Sequence, residues 1–200
     1  LEHRAARDVL TESIHAWLPA NGIVYCATRA QADRTAAGLR TQGISALSYH
    51  AGLEVHERAD AQWRFLSGEV PVVAATIAFG MGVDKPDVRW VIHRSLPADP
   101  ASFAQEAGRG GRDGKGALSL VLWTPEDLRA RRSIITGQAG DERVRLGRGL
   151  GAVWRWVNSR RCRHVGVARH FGEFPASCGD RCDVCAGWKI PCLPGLLESP

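Results

Sequence analysis

The stretch VVAATIAFGMGVDKPDVRWVIH, residues 72–93, joins two apolar, β-branched runs through a loop carrying Gly80, Gly82, Asp84 and Pro86. Short continuous apolar runs bounded by such breakers read as buried strands. Strands covered on both faces belong to parallel sheets, whose crossovers place helices above and below. The loop between the runs carries two close glycines, which let a backbone approach a sugar-phosphate chain without steric conflict.

Working outward, the same grammar repeats. GIVYCAT (22–28), GISALSY (43–49), VPVVAAT (70–76), VRWVIHR (88–94) and ALSLVLW (117–123) are predicted strands. Between them lie helix signals. Thr28 and Gln31 form a capping box opening a helix to about Arg40. A second helix spans about Glu54 to Leu66, and Asp99-Pro100 starts a third that Gly108 stops after Ala107. Thr124-Pro125-Glu126-Asp127 opens a fourth. Alternation of this kind predicts an α/β fold, a parallel sheet with helices on both faces. Ligands of such sheets bind beyond the carboxyl ends of the strands. Thr28-Arg29, Tyr49-His50-Ala51-Gly52, Thr76 through Asp84 and the Gly/Arg stretch QEAGRGGRDG (105–114), reached through its helix, are all expected on that edge.

After Leu128 no strand pattern returns. Residues of about 125–137, 142–158 and 161–170 read as helices, so a boundary is expected near Gly137–Gly140. The expected organisation is an α/β domain over 1–138, a small helical metal-stapled domain over 139–190 and an irregular tail over 191–200. The chain starts without Met, inside a helical pattern, as expected of a piece of a longer protein.

Charge separates the same blocks. Residues 1–128 carry 13 basic and 15 acidic side chains, a net of −2. Residues 129–169 carry 11 arginines against Asp141 and Glu142, a net of +9. Such a basic block is the electrostatic footprint of a nucleic-acid contact. A solvated helix face in an arginine-preferring sequence is the competing reading, since the chain has 23 Arg and 3 Lys. No run reaches the roughly 18 apolar residues of a membrane helix, and LEHRAARDVL lacks the layout of a signal peptide.

QEAGRGGRDG sets two arginines three apart among four glycines. Arginine is always charged and forks to match carboxylate or phosphate. The stretch is expected to hold Arg109 and Arg112 out toward an anion. Thr28, at a helix N-terminus beside Arg29, offers a hydroxyl and backbone N–H groups suited to phosphate. His93 and Cys26 read as packing residues on strands. Five of six cysteines crowd the last forty residues. Without a signal peptide, clustered cysteines more often bind metal than pair as disulfides. Cys162, Cys178, Cys182 and Cys185 supply four thiolates, the tetrahedral set for structural zinc. Cys192, His164 and His170 are substitute ligands, and an iron–sulfur cluster is the alternative metal chemistry.

Read in order, IVYCATRAQAD, ISALSYHAGL, VVAATIAFGMGVDKPDVRWVIH and QEAGRGGRDG resemble motifs IV to VI of superfamily 2 helicases, and RecQ helicases above all. RCRHVGVARHFGE and the cysteines that follow it resemble the RecQ zinc-binding domain, with three residues between Cys178 and Cys182 where the family usually has two. The resemblance implies a second RecA-like domain followed by a helical zinc domain, in an ATP-dependent 3′–5′ DNA helicase of repair and recombination. It implies that Gln105, Arg109 and Arg112 form the last motif, with Arg112 the arginine finger reaching ATP on the first RecA-like domain and Arg109 supporting the nucleotide or the interdomain contact. Asp84 and Gly82 would lie at the nucleotide seam, and Thr28, Arg29, His50, Gly52 and Thr76 would hold the phosphates of one DNA strand. It further implies structural Zn2+, ATP with Mg2+ shared with that first domain, single-stranded and junction-containing DNA as partners, no membrane, and a nucleoid or nuclear location. The sequence holds no GxxxxGK[ST] phosphate loop, so these residues alone are expected to be inactive. The alternative is a zinc-stabilised DNA-binding module that has lost its motor.

Overall fold

The computed structural model describes residues 3–80 and 84–187. Gly82, Cys192 and the tail expected to be irregular lie outside the described residues. The chain divides into two compact units. The first comprises, among the described residues, 3–95 and 106–124, and the second 96–105 and 125–187.

In the first unit α1 (His3–Trp17) precedes β1 (Asn21–Tyr25), α2 (Arg29–Thr41), β2 (Ala46–Tyr49), α3 (Val55–Leu66), β3 (Val72–Ala75), a 3₁₀ turn (Ile77–Gly80) and β4 (Val88–His93). α4 (Pro100–Ala107) re-enters this unit at Glu106, and β5 (Leu118–Val121) closes the sheet. The five strands are parallel, in the order β2-β3-β1-β4-β5. The α/β expectation holds, because strand period two splits the apolar set into two faces. Val24, Cys26, Val72, Ala74, Trp90, Ile92 and Leu120 face Leu10, Ile14 and Trp17 of α1 and Ala32, Ala36 and Leu39 of α2. Ile23, Tyr25, Val73, Ala75 and Val91 face the other way, toward Ala61 and Phe65 of α3 and Phe79 of the 3₁₀ turn. Gly22 makes room for the Trp90 indole, since a Cβ there would stand 2.0 Å from the ring.

Local signals work largely as read. Thr28 Oγ1 accepts from Gln31 N at 3.1 Å, while Gln31 Oε1 accepts from Ala27 N, one residue before the cap. Asp99 Oδ1 accepts from Ser102 N at 2.7 Å at the start of α4.

The second unit contains the first turns of α4, then α5 (Pro125–Thr136), α6 (Gly140–Val157), α7 (Arg163–His170) and the single turn α8 (Asp183–Ala186). The expected boundary near Gly137–Gly140 moves back to Thr124–Pro125, because α5 packs on α6. Residues 96–105 join this unit through close backbone contacts. Arg131 Nε donates to Leu96 O at 3.1 Å, and a Cβ on Gly149 of α6 would stand 2.9 Å from Ala98 O. Phe103 packs on Trp156 with ring centroids 4.5 Å apart, and Trp156 Nε1 donates to Arg163 O at 3.0 Å.

Candidate functional site

β2, β3 and β1 are neighbours, so the residues that follow them share one carboxyl edge. Thr28 and Arg29 stand exposed at the start of α2, Gly52 is exposed after β2, and Thr76 is half-buried after β3. Thr76 N donates to Tyr49 O at 3.1 Å, tying two of these loops together. Thr28 Oγ1 is an acceptor within the cap, which leaves its O–H to donate outward. The Arg29 stem passes over Gly52, where a Cβ would lie 3.0 Å from Arg29 Cδ. Four of the five residues expected to hold a DNA strand therefore present donors or bare backbone at one edge.

His50 is the exception. It is 5% exposed, its Nε2 lies 2.9 Å from Asp33 Oδ1, and its Nδ1 accepts from Gly52 N at 3.2 Å. Asp33 Oδ1 also accepts from Ser48 Oγ at 2.6 Å. The Ser48 hydroxyl is the main cause holding the Asp33 carboxyl below its usual range, with His50 adding to it against the cost of burial. Both ring nitrogens of His50 thus have partners inside the protein. Sequence reading missed Asp33 and Ser48, although Ser48 and His50 share a face by strand period and Asp33 lies one helical turn after Arg29.

The Gly/Arg stretch is elsewhere. Gly111 N donates to Val88 O and Asp113 N to Pro86 O, at 2.9 and 3.2 Å. Both carbonyls stand at the amino end of β4, so the expectation of a carboxyl-edge position is corrected. A parallel strand must be entered from its amino edge, and α4 carries the chain back there before β5. The Thr76–Asp84 segment likewise leaves β3 at one edge and enters β4 from the other. Phe79 pins its crossing, with ring centroids 4.7 Å from Tyr49 and 5.6 Å from Phe65.

The two arginines part company. Arg109, expected to face out, is 5% exposed and donates from Nη2 to Gly80 O at 2.6 Å. It lies against Tyr25, whose pKa burial pushes up to about 12, with Arg109 pulling against the rise. Tyr25 stacks on His93, and His93 Nε2 lies 2.8 Å from Glu106 Oε2. His93, read as a packing residue, is thus also part of a buried polar cluster with Tyr25 and Glu106 inside the first unit. Cys26 does pack: it is 5% exposed, and burial raises its pKa to about 11. Arg112 stays at the surface, 39% exposed by side chain, with Nη1 2.8 Å from Oδ1 of Asp84, which is 83% exposed. Gln105 stands exposed on α4, in the second unit.

In the second unit the Sγ atoms of Cys162, Cys178, Cys182 and Cys185 lie within 4.8 Å of one another. A tetrahedron of Zn–S bonds has edges of about 3.8 Å, so a small contraction seats a zinc ion. Between Cys178 and Cys182 the chain turns at Gly179, whose φ of 72° an L side chain rarely adopts. His164 and His170 stand outside this cluster. The four thiols perturb one another. Burial raises the Cys162 thiol, but Val165 N–H and neighbouring thiols bring it down to about 6. Cys178 is driven up to about 12 by burial and then by the other three cysteines. Four crowded sulfurs cannot all ionise without a positive charge between them. Arg163 braces the cluster, a role absent from the sequence reading. Its guanidinium grips Asp183 at 2.8 and 2.9 Å and donates to the carbonyls of Trp156, Val157 and Ser159, while its backbone N donates to Cys182 Sγ.

Comparison with known proteins agrees with this anatomy. The helicase conserved C-terminal domain family matches residues 6–114, and the RecQ zinc-binding family matches residues 125–186. The chain belongs to the RecQ family of helicases. It is 40% identical over 166 residues to a putative ATP-dependent DNA helicase Q1 of Caenorhabditis briggsae, covering 82% of this chain and 26% of that protein. It is 37% identical over 166 residues to the ATP-dependent DNA helicase RecQ of Pasteurella multocida, with the same coverage. The chain thus spans about a quarter of these curated relatives. Among solved structures, the C-terminal domain of the DEAD-box protein Dbp5 superposes with a TM-score of 0.56 at 25% identity, over 68% of this chain and 79% of that one. A DEAD-box protein from Methanococcus jannaschii gives 0.57 at 24%, over 68% and 37%. The first unit therefore has the RecA-like fold of helicase C-terminal domains. Among the described residues no helix is long and apolar enough to cross a membrane.

Proposed function

We propose that this chain is the second RecA-like domain and zinc module of an ATP-dependent 3′–5′ DNA helicase acting on repair and recombination intermediates, in the nucleoid or nucleus. The observation that carries the reading is the exposed Arg112, presented on a glycine-lined loop of a domain whose sequence holds no phosphate loop of its own. Such a residue has work to do only on a nucleotide bound by another domain. ATP with Mg2+ would be held there by a first RecA-like domain, and phosphoryl transfer spreads negative charge over the γ-phosphate oxygens. The Arg112 guanidinium would neutralise that charge as it develops. Its exposed ion pair with Asp84 is of a class worth about 0–1 kcal/mol, so Asp84 can give it up to a phosphate. Arg109 acts differently, locking the 3₁₀ turn to the Gly/Arg stretch so that Arg112 starts from a fixed base. Thr28, Arg29, Gly52 and Thr76 grip backbone phosphates without reading bases, as a motor requires. A zinc ion held by four cysteines has no open position for water, so its role is structural.

The test uses the 200-residue chain with labelled single-stranded DNA and with ATP. Weak binding that falls steeply with salt, and no DNA-stimulated ATP turnover, are expected. Turnover by this chain alone, or affinity indifferent to salt, would overturn the reading.

A further inference from the structure

We infer that Asp33, an acid with no part in the phosphate chemistry itself, is a positioning residue that sets the geometry of the carboxyl-edge phosphate grip; the inference rests on the reading of that edge given under Proposed function. Gly52 N–H donates to His50 Nδ1, so Nδ1 carries no proton and the ring proton sits on Nε2. That proton points at Asp33 Oδ1, 2.9 Å away. His50 is thereby a neutral spacer with no nitrogen left over, buried between a carboxylate on α2 and a backbone amide after β2.

Asp33 is well placed for this task. It is one helical turn beyond Arg29, and positions four apart share a helix face. The same Oδ1 takes the Ser48 hydroxyl at 2.6 Å, so β2, the loop after it and α2 converge on one carboxylate. Gly52 in turn lies under the Arg29 stem, where a Cβ would stand 3.0 Å from Arg29 Cδ and 3.2 Å from His50 Nδ1. Remove the acceptor and the His50 ring loses what orients it. The Gly52 amide then loses its fixed partner, and Arg29 loses the surface it lies on.

The competing idea is that Asp33, with a side chain 53% exposed, is only a negative charge near the site. The two ideas predict opposite signs. A bare repulsive charge, once removed, should tighten DNA binding, whereas loss of a positioning acceptor should weaken it.

The experiment measures anisotropy of a labelled oligothymidine with the full 200-residue chain, comparing Asp33→Ala, Asp33→Asn and Arg29→Ala. Asp33→Ala should weaken binding roughly tenfold, the size of a lost hydrogen bond to a charged group. Asp33→Asn, which keeps an acceptor without the charge, should recover part of that loss. Ring 15N shifts should report the Nε2–H tautomer of His50 in the native chain and its loss in Asp33→Ala, a readout that general destabilisation would not produce in a folded protein. Unchanged or tighter binding by both Asp33 variants, with Arg29→Ala weakened, would overturn the positioning role alone. No effect of Arg29→Ala would overturn the phosphate reading of this edge and the inference with it.

Discussion

Arg112 Nη1 and Asp84 Oδ1 meet at 2.8 Å, joining the Gly/Arg stretch to the end of the loop that follows β3. Three residues earlier, Arg109 is buried against the Gly80 carbonyl of that same loop. One arginine anchors and the other reaches. In the complete enzyme, Arg112→Ala should cut ATP turnover by roughly a thousandfold or more, the range of arginine fingers, with ATP binding changed far less. Steady-state turnover beside equilibrium nucleotide binding checks this. A near-normal rate would remove Arg112 from the role.

Gly111 has a φ of 67°, and a Cβ on it would stand 2.5 Å from Lys115 O. Gly111→Ala therefore combines a disfavoured backbone with a clash. A cost of about 1–3 kcal/mol is expected for the backbone conformation alone. Thermal unfolding should show it, and turnover of the complete enzyme should fall because Arg112 is the next residue. A variant as stable and as active as the native chain would show that this loop is not rigidly built.

The Asp33 carboxyl should titrate below its ordinary 3.8 in the folded chain, chiefly because of the Ser48 hydroxyl. A depressed folded value has one sign of consequence. Its contribution to stability is fully present above the unfolded value and is lost as pH falls through the folded one. Carboxyl 13C titration measures the shift directly, and Asp33→Asn should flatten that part of the acid limb of the stability curve. A midpoint at or above 3.8 would contradict the hydrogen-bond geometry.

The metal can be tested by chemistry and by substitution. One zinc per chain is expected, and Cys182→Ser should lower zinc content and loosen the second unit while the sheet stays folded. Mass-mapped alkylation of the native chain should spare Cys162, Cys178, Cys182 and Cys185. After chelation these four should react, whereas Cys26, buried and raised to about 11, should stay unlabelled until the chain unfolds. Full zinc in the Cys182→Ser variant would refute the ligand set.

The sheet was legible because its strands are short apolar runs whose alternate residues pack two different helical layers. The cysteine cluster was legible because thiolate spacing is a local signal. What escaped reading was mostly the direction of side chains. Nothing in AGRGGRDG tells that the first arginine turns into the core and the second does not. That choice is made by Gly80 and Tyr25, more than twenty-five residues away in sequence. The internal partners of His50 escaped for the same reason, since they come from α2 and from the end of its own loop. The boundary was misplaced because α5 carries the basic composition of one block while following directly on β5, and only packing against α6 decides its unit.

The interleaving of the units has a consequence for how the gene can be cut. Among the described residues the backbone passes between the units three times, at 95–96, 105–106 and 124–125. An expression boundary drawn at 124 would keep the whole parallel sheet, yet it would strand ten residues whose packing partners had been removed. A chimera that exchanges the zinc module at the same point would pair a foreign α6 with a resident Ala98, against which Gly149 now fits. Transplantation of either unit therefore calls for a graft of two segments, with 96–105 travelling alongside the helices it belongs to.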